Sequence, residues 1–322
     1  MRCRIKLLIF KSQYEFNYVK IPVMKRLILI DGNSLFYRAY HALPTTLTHD
    51  GKPINAVYGF SNMLLKAIFD LKPTHIVVTW DTFAPTFRHI DFAEYKATRL
   101  APPDDLFPQK PHLQKVLEAF GIPEFELHGY EADDLIATLA TQAEKQKIDE
   151  VFILTGDRDT FQLVSGKVKV YTSGQKLEPV IYDRAKIKEK YNLTPSQMND
   201  FKALVGDQSD NIAGVSGIGP KGASDLLSKY KDLDGIYKHL NELSDALGEK
   251  LEKDKEQAYV ARKLVELDRK APVKLDLSAC KADFDWGKIR ESLEEFHFRS
   301  LAGKLPGGEK QKEETKKELK LL

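Results

Sequence analysis

Cysteine is scarce in this sequence, since Cys3 and Cys280 are its only two and lie near opposite ends of 322 residues. They fit neither a disulfide framework nor the paired spacing of a zinc site, so we expect a reducing compartment, the cytoplasm. No apolar run reaches the roughly 18 residues that a transmembrane helix needs, and we expect no membrane contact. The opening segment MRCRIKLLIF is basic and then briefly apolar, but no small-residue cleavage site follows, which argues against secretion.

A strong net charge is also lacking, because 49 Lys and Arg residues nearly balance 47 Asp and Glu residues. A formal net charge of +2 does not identify a nucleic-acid-binding protein, so any DNA binding must depend on local basic clusters. Hydrophobic residues make up 42% of the chain, which is enough for a globular core. The length suits one large domain, or a main domain with a smaller appendage.

Continuous apolar runs predict buried parallel strands, and three of these runs end in an aspartate. The strands are predicted at residues 25–31 (KRLILID), 74–81 (THIVVTWD), 150–157 (EVFILTGD) and, shorter, 168–172. Helical spacing predicts amphipathic helices at residues 56–70, 111–120 and 132–145, and helical patterns dominate from about residue 183. The alternation of strands and helices predicts an α/β domain with a parallel sheet, followed by a helical region.

The aspartates that end the strands, Asp31, Asp81 and Asp157, should converge, because ligands of an open parallel sheet bind beyond the carboxyl ends of its strands. Turn formation, helix-dipole complementation and helix capping are the alternative explanations, and each accounts for one or two acids. Neighbouring segments add further acids, which makes nine carboxylates in five segments. The additional acids are Glu131, Asp133, Asp134, Asp159, Asp207 and Asp210.

Nine carboxylates in one cleft would repel one another and raise their pKa values unless cations were present. Oxygen ligands suit hard divalent metals, so we expect Mg²⁺ or Mn²⁺, whereas the absence of Cys/His ligand spacing argues against zinc. A two-metal site is suited to in-line displacement at phosphorus. The sequence therefore predicts a metal-dependent enzyme that cleaves phosphodiester bonds.

Two further segments carry features of nucleic-acid binding. The arch segment, at about residues 82–111, interleaves cations with aromatic residues, which suits phosphates and unstacked bases; a solvated loop anchored by its aromatics is the alternative. Residues 211–227 (NIAGVSGIGPKGASDLL) contain a glycine-rich turn between helices rather than after a strand, which excludes the dinucleotide-binding fingerprint. Such a turn presents backbone N–H groups to a DNA phosphate, and a tight turn without a ligand is the alternative.

Several motifs together resemble the 5′ nuclease domain of bacterial DNA polymerase I and, more broadly, the flap endonuclease superfamily. The resemblance extends from Lys25 to about Gly303 and rests on LILIDGNSLFYRAYHALP, NAVYGFSNML, VVTWDTFAPTFRHIDFAEYKATR, GYEADDLIATLA, ILTGDRDTFQLV and VGDQSDNIAGVSGIGPKGA. It implies a resolvase/PIN-like α/β domain, a helical arch and a helix–three-turn–helix DNA-binding region. It also implies 5′-3′ exonuclease and 5′-flap endonuclease activity that leaves 5′-phosphate and 3′-hydroxyl ends, in primer removal and repair.

The resemblance implies a role for each matching residue. The first metal ion would be bound by Asp31, Asp81, Glu131 and Asp133, and the second by Asp157, Asp159, Asp207 and Asp210, with Asp134 in the same cluster. Substrate contacts would come from Arg38, Arg88, Lys96, Arg99, Tyr37 and Tyr95. The hairpin segment, residues 214–221, would bind duplex DNA through Gly214, Gly217, Gly219 and Lys221, and would hold a potassium ion through its carbonyls.

The resemblance also divides the chain. Residues 24–182 would form the nuclease domain and 183–303 the helical DNA-binding region, with a dispensable extension at 1–23 and a charged, disordered tail at 304–322. No polymerase or proofreading segment is matched, so we expect a DNA polymerase to act in trans on the same flaps, nicks or RNA primers. A PIN-like RNase is a weaker alternative because it lacks the hairpin segment. A catalytically silent DNA-structure binder would have lost the strand-end acids, which are all present.

Overall fold

The computed structural model describes residues 24–173 and 178–307. Its strands are β1 (Arg26–Asp31), β2 (Thr48–His49), β3 (Lys52–Pro53), β4 (His75–Trp80), β5 (Glu124–Glu126), β6 (Glu150–Leu154), β7 (Val168–Ser173), β8 (Pro179–Tyr182), β9 (Gly206–Asp207) and β10 (Ile212–Ala213). Its helices are α1 (Gly32–Ala42), α2 (Asn55–Leu71), α3 (Phe87–Asp91), α4 (Lys110–Phe120), α5 (Ala132–Lys145), α6 (Arg184–Tyr191), α7 (Met198–Val205), α8 (Pro220–Tyr230), α9 (Leu233–Lys238), α10 (Asp245–Lys253), α11 (Lys255–Val265), α12 (Trp286–Glu295) and α13 (Arg299–Ala302).

The central sheet has the strand order β5-β4-β1-β6-β7-β8, and only the β7–β8 pair is antiparallel. Strand β1 pairs with β4 and β6, so that Asp31 lies opposite Thr79 and Ile30 opposite Leu154. The apolar runs that predict these strands are buried on both faces, as expected for a parallel sheet covered by helices. The predicted parallel-sheet α/β fold with a following helical region is confirmed.

Alternate residues of β1 point into two separate cores, because successive side chains of a strand lie on opposite faces. Leu27 and Leu29 join a core formed by α5 and the helical region from α6 to α11. Ile28 and Ile30 join a core formed by α1, α2, α4, α12 and α13. The predicted helical region therefore covers both faces, since its last two helices return to the α/β domain.

The arch segment is helical only in part, because it contains the short helix α3, turns and the start of α4. Within it Lys96 has a φ of 57°, in the left-handed region, and its backbone N–H donates to Asp210 O at 2.9 Å. This contact directs the segment across the end of the sheet. The helical arch that the resemblance implies is thus mostly a set of turns.

The predicted extension at residues 1–23 lies outside the described residues, as do residues 308–322 of the predicted tail. Residues 304–307 are described, and Leu305 is buried in the core with α12 and α13. The packed chain therefore continues past the predicted boundary at Gly303. Among the described residues, no helix is both long and apolar enough to cross a membrane.

Candidate active site

A cavity of about 1130 Å³ opens at the carboxyl ends of β4, β1 and β6, where the sequence predicts a site. We call it the acidic cleft. Its lining includes carboxylates from all five predicted segments: Asp31, Asp81, Glu131, Asp133, Asp157 and Asp207. Tyr37, Arg38, Lys96, Arg99, Arg158 and Lys202 line it as well.

Asp31 and Asp81 are held by hydrogen bonds at the ends of their strands. Asp31 caps α1, where its Oδ1 accepts from Ser34 N at 2.9 Å and its Oδ2 from Thr155 Oγ1 at 2.7 Å. Asp81 Oδ1 accepts from the backbone N–H of Ala132 at 2.7 Å, at the start of α5. These contacts fix both carboxylates before any ligand binds, as a preorganised site requires.

The start of α5 supplies Glu131 and Asp133 to the same cleft. Lys96 Nζ donates to Glu131 Oε1 at 2.7 Å, and the Tyr95 hydroxyl lies 3.0 Å from Glu131 Oε2. Asp133 Oδ1 is buried and has no hydrogen-bond donor within the part of the chain that the structure describes. An anionic oxygen without a donor is costly in a protein, and a cation is what it lacks.

Asp159 and Asp207 share one lysine that the sequence analysis did not identify. Lys202 of α7 forms ion pairs with both, and its Nζ lies 2.6 Å from Asp207 Oδ2. Acids after the end of a helix oppose the helix dipole, so a cation in the last helical turn was the available signal. Asp210 is paired instead with Arg99, whose Nη2 lies 2.5 Å from Asp210 Oδ1.

The carboxylates of the acidic cleft have shifted pKa values. Burial, with the nearby charges of Asp81 and Asp157, raises the pKa of Asp31 to about 7. Burial and the charges of Asp31, Asp157 and Asp81 raise the pKa of Asp133 well above its usual range. Although burial acts in the same direction at Asp207, Lys202 and Ser209 hold its pKa below the usual value. Burial and mutual repulsion thus raise the pKa values of Asp31 and Asp133, whereas the basic neighbour of Asp207 lowers its pKa.

These residues fit hard divalent cations, because they offer oxygen donors, mutual repulsion and one buried oxygen without a partner. Within residues 24–173 and 178–307, however, no three of the carboxylates stand together in the geometry of a closed metal site. Lys96, Lys202 and Arg99 pair with acids of this cluster instead. Four of the candidate ligands are therefore paired with basic side chains in this structure: Glu131, Asp159, Asp207 and Asp210.

Arg88 and Asp134 do not line the acidic cleft. Their side chains are 2% and 0% exposed, and Arg88 Nη1 and Nη2 donate to the two Asp134 oxygens at 2.7 and 2.8 Å. Arg88 also donates to Leu264 O and Glu266 O, and Asp134 also accepts from Asp268 N. The pair is buried and its polar atoms are hydrogen-bonded, so the structure brings neither Arg88 nor Asp134 to the substrate-contact and metal-ligand positions that the resemblance implies.

The two predicted aromatic contacts also differ. Tyr95 is 4% exposed, and its hydroxyl is held by Glu131 and Asp210, so its ring is not open to a nucleobase. Burial raises the pKa of Tyr95, which keeps the hydroxyl protonated as a donor. Tyr37 lines the acidic cleft, with its ring edge-on to Phe107 at 6.1 Å. Only Tyr37 remains available to a substrate.

The glycines of the hairpin segment serve different purposes. A Cβ on Gly214 would lie 2.4 Å from Leu204 O, so glycine is required there by the close approach of two backbones. Gly217 has a φ of 77° and sits beside Lys250. Gly219 precedes α8 with ordinary backbone angles and open space around it. The fold explains the first two glycines but not the third.

We expect the stability of the metal-free protein to depend on Asp31 in a defined pH window. The folded-state pKa of about 7 exceeds the ordinary value of 3.8, so the fold favours the protonated carboxyl. The resulting contribution is complete below about pH 4 and is lost as pH rises through about 7. Urea unfolding in EDTA at pH 5 and pH 8 should show a larger decline for wild type than for Asp31→Asn, which retains the helix cap. Parallel declines in the two proteins would contradict this assignment.

Two family models match the chain. One, described as "5′-3′ exonuclease, N-terminal resolvase-like domain", matches residues 26–192, and the other, "5′-3′ exonuclease, C-terminal SAM fold", matches residues 193–285. The chain is 40% identical to DNA polymerase I of Caldicellulosiruptor bescii over 285 residues and to that of Bacillus subtilis over 284 residues. Each match covers 87% of this chain but only 33% and 32% of those proteins, so the chain spans about a third of their length.

Solved structures show the same fold at lower identity. The bacteriophage T5 flap endonuclease, in a pseudo-enzyme-product complex with DNA and metal ions, is 21% identical with a TM-score of 0.64, covering 84% of this chain and 99% of that one. The catalytic core of Rad2, in complex with DNA substrate, is 19% identical with a TM-score of 0.53, covering 85% and 89%. At these identities the likeness concerns the arrangement of the backbone.

Proposed function

The chain belongs to the 5′-3′ exonuclease family, and we propose from this membership and the site's geometry that it hydrolyses DNA from 5′ ends and at the base of 5′ flaps. The products would carry 5′-phosphate and 3′-hydroxyl ends. Substrates would be flapped, nicked or RNA-primed DNA in the cytoplasm, where a DNA polymerase creates such structures during replication and repair. The observation that supports the proposal best is the convergence of Asp31, Asp81, Asp133 and Asp157 at one edge of the sheet.

We propose that the carboxylates would hold two Mg²⁺ or Mn²⁺ ions in two groups. We assign Asp31, Asp81, Glu131 and Asp133 to one ion, and Asp157, Asp159, Asp207 and Asp210 to the other. When bound, such ions lower the pKa of an attacking water and stabilise the leaving 3′ oxygen. The protein's own contribution is to hold these carboxylates on rigid strand and helix ends, so that little reorganisation is needed during the reaction.

Lys96 and Arg99 are the cations best placed to hold the scissile phosphate. Both line the acidic cleft, and both are now paired with acids, Lys96 with Glu131 and Arg99 with Asp210. If metal ions take those carboxylates, the ammonium and guanidinium groups become available to the phosphate oxygens. Arg38 and Tyr37 of α1 line the same cleft and would orient the strand.

Replacing Lys96 with alanine should slow cleavage more than it weakens DNA binding. The ammonium group acts where charge develops on the transferring phosphate, and interactions that strengthen in the transition state lower kcat rather than raise KM. We expect roughly a 10²-fold loss in the single-turnover rate at saturating protein, as for loss of one preorganised donor. Lys263→Ala, on the exposed Lys263–Asp91 pair, is the control. A change in apparent affinity alone would make Lys96 a general phosphate contact.

The hairpin segment is proposed to bind the phosphates of duplex DNA and, through its carbonyls, a potassium ion. Lys221 is exposed in the first turn of α8, and Gly219 caps the start of that helix. A helix N-terminus with free backbone N–H groups suits a phosphate, and such contacts carry no sequence preference.

Gly219→Val should weaken duplex binding without harming the fold. The fold leaves open space at Gly219, so a side chain there would obstruct only an approaching backbone phosphate. We expect roughly tenfold weaker binding of flap DNA and a smaller salt dependence, since a phosphate contact releases counterions. Gly166→Val, another open position on the far end of the sheet, is the control. Unchanged affinity in the Gly219 variant would show that the hairpin segment is a structural turn only.

The proposed function is tested by incubating the protein with 5′-labelled flap, nicked and single-stranded DNA, in Mg²⁺, Mn²⁺ or EDTA. We expect cleavage at the flap junction and release of short 5′ products with either metal, and none with EDTA. Binding without cleavage in every metal would favour a DNA-structure binder. Cleavage of RNA alone would favour the RNase alternative.

A further inference from the structure

A second cavity, of about 620 Å³, adjoins the acidic cleft and is lined by cations. We call it the basic cleft. Four cations line it, together with a single carboxylate, that of Asp157; the cations are Arg38, Arg158, Lys186 and Lys190. Because the two cavities share Arg38 and the turn of residues 156–158, they are contiguous.

The basic cleft is built on the edge of the sheet farthest from the arch segment. The antiparallel pair β7–β8 forms its floor, and α6 forms one wall. Lys186 and Lys190 lie one turn apart on α6 and therefore share a face, whereas Lys188 points elsewhere and donates to Asn192 O at 2.7 Å. The helix thus carries two lysines in the cleft and one outside it.

The lysines of the basic cleft are held in position, but in the described part of the chain neither forms an ion pair with a buried acid. Lys190 Nζ lies 3.1 Å from the Tyr182 hydroxyl and 5.1 Å from the centre of its ring, which holds the side chain over the floor. Among the described residues Lys186 forms an ion pair with Glu189 alone, and both side chains are well exposed. Exposed pairs of this kind contribute little to stability, so an anionic ligand exchanges with Glu189 at little cost.

The size of the basic cleft limits what it binds. Pockets for small ligands measure about 300–1000 Å³, so this one suits a nucleotide or a short single strand rather than a duplex. Its ligand must also be anionic, given the excess of cations. Because it shares Asp157 with the proposed second metal group, the ligand lies directly beside the scissile phosphate.

We infer that the basic cleft binds nucleotide phosphates next to the scissile bond. This inference rests on the proposed function, in which the adjoining acidic cleft holds that bond. The same phosphate chemistry has two sources, the strand that is still attached before cleavage and the 5′-phosphorylated mononucleotide that is released afterwards.

The test compares wild type, Lys186→Gln/Lys190→Gln and the matched control Lys188→Gln. Binding of a 5′-flap DNA is measured in EDTA at several salt concentrations. Loss of two phosphate contacts should weaken binding by roughly tenfold and reduce the slope of log K against log salt by about two in the double variant. The control should bind as wild type does. Cleavage by wild type in Mg²⁺ is measured separately, so a failure of the proposed function is recognised independently of the binding result.

Two arms distinguish the sources of the phosphate. If the attached strand occupies the basic cleft, the defect of the double variant should be larger for a long flap than for a one-nucleotide flap. If the released product occupies it, a deoxynucleoside 5′-monophosphate should inhibit wild type, and its inhibition constant should rise in the double variant. Equal affinity, salt slope and product inhibition in all three proteins would overturn the inference.

Discussion

Asp133→Asn is expected to abolish cleavage while stabilising the metal-free protein. Asp133 projects from the first turn of α5 among Asp31, Asp81 and Asp157, and its pKa is raised by burial and by those charges. Metal ions contribute several kcal/mol to such a reaction, so loss of a ligand should lower the rate at least 10³-fold, about 4 kcal/mol. Flap cleavage at saturating Mg²⁺ measures the first effect, and thermal unfolding in EDTA measures the second.

The two effects of this substitution have the same cause. Above the ordinary pKa of an aspartate the unfolded chain ionises Asp133 freely, whereas burial among like charges opposes its ionisation in the folded protein; this difference destabilises the fold, and asparagine removes it. Mg²⁺ should raise the Tm of wild type more than that of the variant, since ligand binding stabilises the folded state. Asp283→Asn, at an exposed aspartate outside the cleft, is the matched control. An active variant, or one with a lower Tm in EDTA, would contradict the metal-ligand assignment.

Arg88→Ala should strongly destabilise the folded protein. It would leave Asp134 fully buried with no counter-charge, and breaking a buried pair in this way costs about 3–5 kcal/mol. The free energy of unfolding from urea titration measures the loss. Lys263→Ala breaks an exposed pair and should cost less than about 1 kcal/mol.

A second substitution separates charge from packing at this buried pair. Replacing both partners, as in Arg88→Met/Asp134→Leu, removes the unpaired charge and should recover part of the lost stability. The Arg88 hydrogen bonds to Leu264 O and Glu266 O would still be missing, so recovery should be incomplete. If the double variant were less stable than Arg88→Ala, the pair would matter through its shape rather than its charge.

The sequence predicts the candidate site best where a local residue pattern by itself determines the position of a residue in the fold. Asp31, Asp81 and Asp157 follow apolar runs, and parallel strands end at one edge, so their convergence follows from pattern alone. The parallel sheet follows from the same runs. Recognition of the motifs added the family and the activity.

The sequence was least informative about which charged residues are buried. Arg88 and Asp134 lie 46 positions apart and carry the same residue types as true surface contacts, so only the tertiary structure shows that they satisfy each other. Tyr95 likewise differs from Tyr37 in burial, not in type. Lys202 is one of 49 basic residues, and its role depends on the angle at which α7 meets the end of β6.

The return of the chain to its starting domain has a consequence for how the molecule unfolds. After α11, residues near Cys280 hydrogen-bond to the start of β4, and α12 and α13 pack against α2 and α4. Both ends of the helical region are therefore anchored in the same α/β domain, one directly after β8 and the other through α12. A segment tied down at both ends gains little conformational entropy by detaching alone, so we expect its melting to be coupled to that of the sheet. We therefore expect the α/β domain and the helical region to unfold as one cooperative unit, rather than as two modules joined by a linker.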